Sequence, residues 1–110
     1  MFRRTEQLNP NYKEIGRLLE MLSETDIPHS YHKIFDGWQI GYPCLYAEGD
    51  CICSVIEHFG SYGHHVDLLE IRGLLTEEEK LTNYGTLGYL TAEEVFERIK
   101  SHWEANKGET

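Results

Sequence analysis

The run Cys51-Ile52-Cys53-Ser54-Val55-Ile56-Glu57-His58 constrains the fold more than any other segment. It is apolar almost throughout and holds β-branched residues, so it reads as a central strand. A central strand needs a neighbour on each edge and cover for its apolar face. The rest of the chain supplies both. Ser30 to Phe35 and Trp38 to Tyr42 read as two strands around Asp36-Gly37, a favoured type I′ turn pair, and Pro43 ends the second. Leu68 to Leu75 alternates Leu69 and Ile71 with Glu70 and Arg72 and reads as a further strand, although its leucines also permit a helix.

Cover comes from two amphipathic helices. Asn9-Pro10 looks like a helix start, and Tyr12, Ile15, Leu18, Leu19 and Leu22 share one face until Ile27-Pro28 stops it. Thr91-Ala92-Glu93-Glu94 is a capping box, and Val95, Phe96, Ile99 and Trp103 line the helix it opens. Thr76-Glu77-Glu78-Glu79 is a second capping box, for a short turn that is over by Asn83. Cys44 to Asp50, Phe59 to Asp67 and Tyr84 to Leu90 read as loops. The expected fold is α+β: an antiparallel sheet of three to four strands covered by an N-terminal and a C-terminal amphipathic helix. A chain of 110 residues suits one domain, with an ordered core over about 9–105.

Charge narrows the function classes. The formal net charge is −9. From Asp36 to Glu97 there are twelve acidic residues against two basic ones, Arg72 and Lys80, a balance of −10. Nucleic-acid binders need a basic footprint that displaces counterions from phosphate, so direct nucleic-acid binding is not expected. No stretch approaches the roughly 20 apolar residues of a membrane helix, and no apolar run follows Arg3-Arg4 as in a secretory signal. The three cysteines, Cys44, Cys51 and Cys53, are an odd set and read as reduced thiols in a cytoplasmic protein.

Each candidate chemistry meets a plainer explanation. Cys44, Cys51, Cys53 and His58, with His64-His65-Val66-Asp67 nearby, would make a zinc set, but the spacing is not that of paired knuckles, and Cys53 and His58 fall on opposite faces of the strand. Small buried hydrophobes explain the cysteines better. A nucleophilic cysteine needs a lowered pKa, and acidic surroundings raise it. Carboxylates are plentiful, yet none stands in an obviously tuning apolar setting; Glu57 and Glu70, inside apolar strands, are the hardest to dismiss. Phe59-Gly60-Ser61-Tyr62-Gly63-His64-His65 could approach a ligand, but no phosphate-loop or dinucleotide pattern is present. No enzyme, cofactor or metal is expected.

Four strings carry a resemblance: Ile27 to Pro43, Cys53 to Gly63, Leu68 to Glu79 and Leu90 to Ile99. Together they resemble small acidic proteins encoded in phages and prophages of Gram-positive bacteria, over about residues 10–104. That resemblance implies a cytoplasmic host setting and a protein that works by binding a host factor, as inhibitors of CRISPR nucleases and other defence systems do. The expectation is a non-catalytic protein that occupies a basic surface of its partner. Glu48, Asp50, Asp67, Glu70, Glu77, Glu78, Glu79 and Tyr62 are the expected contacts, acids pairing with Lys or Arg and tyrosine adding area. The alternative is a binder of a small molecule, such as a nucleotide signal, using the loop from Phe59 to Asp67 with Arg72. A symmetric homodimer through a sheet edge is also open.

Overall fold

The computed structural model describes residues 11–43, 51–81 and 84–107. Its elements run α1 (Glu14–Ser23), β1 (Ser30–Ile34), β2 (Gly37–Tyr42), β3 (Cys53–Glu57), β4 (Leu69–Arg72), β5 (Thr86–Leu90) and α2 (Ala92–Asn106). Short 3₁₀ turns at His64–Val66 and Glu79–Leu81 punctuate the second half. The five strands form one antiparallel meander in the order β1-β2-β3-β4-β5, so β3 is central. This is the expected α+β arrangement with one strand more.

That extra strand is β5, within a segment expected to be a loop. Gly85 and Gly88 mask its alternation, and it lies at an edge, where only β4 dictates its conformation. Gly88 lets it lie close to Tyr62: a Cβ there would stand 2.3 Å from that residue's Cβ.

The β1–β2 turn sits one residue earlier than expected. Ile34 pairs with Gly37, so Phe35 and Asp36 are the loop residues and Phe35 takes the left-handed conformation, φ 55°. Gly37 is instead needed inside the strand, where a Cβ would fall 1.8 Å from the Glu57 carbonyl oxygen. The expected helix start at Asn9-Pro10 and the expected loop Cys44–Asp50 lie outside the described residues.

Strand alternation sends Trp38, Ile40, Tyr42, Cys53, Val55, Leu69 and Ile71 to the face under the helices. They pack against Ile15, Leu18, Leu19 and Leu22 of α1 and Val95 and Ile99 of α2 in one cluster. Tyr31 stacks on Trp38 at 4.6 Å between ring centroids. No helix among the described residues is long and apolar enough to cross a membrane.

The cysteines correct the expectation of reduced thiols: Cys51 is disulfide-bonded, while Cys53 is free and buried. Burial pushes the Cys53 thiol up to about 12, so it behaves as the small core hydrophobe that its strand position suggests.

Candidate functional site

The acidic residues expected at an interface do not form one outward face. Glu48 and Asp50 lie outside the described residues. Asp67 turns inward and accepts the amides of Lys13 and Glu14 at 2.8 and 3.0 Å. Glu70 is buried and accepts the Tyr62 amide at 2.8 Å. Glu79 closes the expected capping box with Thr76 and takes both guanidinium nitrogens of Arg98 at 2.8 Å. Arg98 first, then the Thr76 amide, holds that carboxyl down to about 2. Glu77 pairs with Lys80 on the surface, and Glu78 is exposed. Three of the five described acids, Asp67, Glu70 and Glu79, are therefore committed to internal bonds.

Two carboxylates from distant segments build the start of α1. Its cap residue, Lys13, offers no side-chain bond. Asp67 fills that gap, and Glu57 from β3 accepts the Ile15 amide at 3.2 Å. The helix dipole favours negative charge there, and the free amides need acceptors. Glu14 continues the relay, since its Oε2 accepts the Ala92 amide at the start of α2, at 2.6 Å.

Glu57 is the most perturbed carboxyl described. Its side chain has no solvent exposure, and Oε2 faces no donor. Burial first, then a hydrogen bond to Asp67 and its charge, pushes the Glu57 carboxyl up to about 9. A proton on Oε2 shared with Asp67 resolves the missing donor. An outward-facing strand position was expected to account for Glu57; the side chain is instead fully buried under α1. Both capping carboxylates are engaged with the start of α1.

Around this relay runs a rim of aromatic and imidazole rings. Phe35 and Phe59 are 67% and 60% exposed, meet edge to face at 5.6 Å, and both contact the His58 ring. Asp36 joins this group to the next: it accepts the Phe59 amide at 2.9 Å and the Tyr12 hydroxyl at 3.0 Å. Burial would raise Asp36, but those two donors hold it below the usual carboxylate range. Tyr12 contacts His64, His64 contacts His65, and His65 meets Tyr89 edge-on at 5.7 Å. Tyr62 completes this end, half-exposed, with its carbonyl accepting the Tyr89 amide at 3.4 Å.

Of the expected contacts, only Tyr62 belongs to the exposed part of this rim. Phe35, Phe59 and Tyr89 were missed as site residues. Their exposure depends on a turn register and an edge strand that local patterns did not reveal. Among the described residues no group of three His, Cys, Asp or Glu side chains could hold a metal ion. Comparison of the chain with protein-family models, with curated proteins and with solved structures finds no match.

Proposed function

We propose that the protein is a non-catalytic binding module that seats its aromatic rim on a partner protein with a basic surface. Phe35 carries the reading. A bulky side chain at φ 55° is costly, by about 1 kcal/mol or more, at a turn position where Gly, Asn or Asp would sit easily. Phe59 and His58 meet the ring on one side, yet two-thirds of the residue stays exposed. Strain kept for an exposed aromatic fits a contact made with another molecule, and aromatic anchors dominate such contacts. Tyr89 repeats the pattern at the other end, φ 63° and half-exposed.

The charge of −9 sets the sign of the partner. A host nucleic-acid-handling defence factor, the target class that the resemblance to phage proteins implies, offers such a basic surface. Occupying it would exclude the nucleic acid. Glu77 and Glu78, the exposed acids left from the expected set, would steer the approach more than hold the complex.

The test starts from affinity capture in a host lysate with elution by salt, followed by titration of the purified partner with variants. Phe35→Asn removes the ring and suits the left-handed backbone. It should leave the melting temperature unchanged or raise it, and weaken binding about tenfold or more. Glu77→Lys/Glu78→Lys should mainly slow association and flatten its salt dependence. Full affinity in Phe35→Asn would refute the rim as the interface.

A further inference from the structure

The sheet face turned away from the helices carries a second arrangement, which meets the rim only where Glu70 holds the Tyr62 amide. Strand register places Ser30, Gly41, Ser54, Arg72 and Thr86 in one cross-strand row. His32, Gln39, Ile56 and Glu70 make the neighbouring row. Between the rows lies a cavity of about 280 Å³ lined by Ser54, Ile56, Glu70 and Arg72.

Its polar groups are unevenly satisfied. Arg17 and Arg98 both sit in ion pairs, whereas Arg72 is exposed and makes no ion pair or side-chain hydrogen bond among the described residues. Glu70, two residues along the same strand face, does not pair with it. One Glu70 oxygen, Oε1, takes the Tyr62 amide. Gln39 donates to the Ser54 hydroxyl at 2.6 Å, which leaves the hydroxyl proton free to donate elsewhere. The cavity thus offers a guanidinium and a hydroxyl as donors on one side. A carboxylate oxygen is the acceptor on the other, about 7 Å along the strand.

Charge selects the occupant. A phosphate or a simple carboxylate would gain Arg72 but meet the negative charge of Glu70. A simple amine would gain Glu70 and meet Arg72. A molecule with both charges satisfies both walls. The volume is below that of typical drug-sized pockets and suits a ligand of few atoms.

We propose that this pocket binds a free α-amino acid as its zwitterion. The carboxylate lies on Arg72 and Ser54, the ammonium faces Glu70, and the side chain runs over Ile56.

An NMR titration of the ¹⁵N-labelled full chain tests this, with L-alanine and L-leucine as probes and propionate, propylamine and AMP as controls. Saturable shifts should appear at the Ser54, Ile56, Tyr62 and Arg72 amides with the amino acids. The single-charge controls should bind about tenfold more weakly or less. Arg72→Gln should abolish the effect. So should Glu70→Gln, which keeps an acceptor for the Tyr62 amide and so keeps the loop in place. Equal response to propionate and alanine, saturation by AMP instead, an unaltered response in Arg72→Gln, or no saturable shift with any probe would each overturn the assignment. Because Arg72 lies off the rim, Arg72→Gln should still bind the protein partner as wild type.

Discussion

The two helices begin in opposite ways. At α2, Thr91 accepts the Glu94 amide at 3.1 Å and Glu94 accepts the Thr91 amide at 2.8 Å, so residues three apart cap each other. At α1, the cap residue contributes nothing from its side chain, and the acceptors come from Glu57 and Asp67, between 42 and 54 residues away. The first arrangement fixes a helix end using its own turn. The second uses a helix end to fasten α1 to the sheet and to the loop before β4. Carboxylates that look like surface charge in the sequence are, at α1, part of the tertiary structure.

Asp67→Ala should show the largest effect. It removes the acceptor of two helix amides and puts alanine at φ 58°. The expected loss is about 3 kcal/mol, measured by urea unfolding. Asp67→Asn retains an oxygen acceptor and tolerates the left-handed backbone, so it should recover much of that loss. If Asp67→Ala proved as mild as an ordinary surface change, the long-range cap would be decoration and the contrast would fail.

The same contrast explains what the sequence could reveal. Both capping boxes, the apolar faces of α1 and α2, and the central place of β3 rest on spacings of four residues or fewer, and all were readable. Phe35 and Asp36 as turn residues were not. The local preference for Asp36-Gly37 lost to the contact of Gly37 with the Glu57 carbonyl, which depends on the pairing of β2 with β3. Strand β5 was hidden by Gly85 and Gly88, the latter present because Tyr62 packs there. Asp67, Glu70 and Glu79 looked like one acidic surface because a list of residues does not say which carboxylates point inward. The pocket of Ser54 and Arg72 needs the register of β3 with β4, and the rim needs three loops brought to one end.

Proton binding sharpens the comparison. Glu57 keeps its proton in the folded protein up to about pH 9, against an ordinary value of 4.5. The folded state therefore binds more protons than the unfolded chain between those values. Stability should be highest below about pH 4.5 on account of this group, and should fall as pH rises towards 9. Glu57→Gln mimics the protonated acid, with its amide donating to Asp67 and its oxygen accepting from Ile15. At pH 7 it should be more stable than wild type by about 2 kcal/mol, with the difference vanishing near pH 4. Urea unfolding across pH reads this directly. A wild-type curve parallel to that of Glu57→Gln would mean that Glu57 is ionised in the fold.

Thr91→Ala should have the smallest effect, about 1 kcal/mol by the same measurement, the usual cost of a lost cap. Local caps are limited in this way because they satisfy one or two amides and tie the helix to nothing else. Here the limit is tighter still. The Ala92 amide, the next donor in the same turn, is already held by Glu14 Oε2, so α2 keeps one anchor when Thr91 is gone. That anchor belongs to α1 and depends on Asp67 holding the Glu14 amide in place. The order of losses, Asp67→Ala above Thr91→Ala, is therefore the discriminating result. A reversed order would mean that α2 is the helix whose start secures the other, with Glu14 positioned by Ala92 and not the converse.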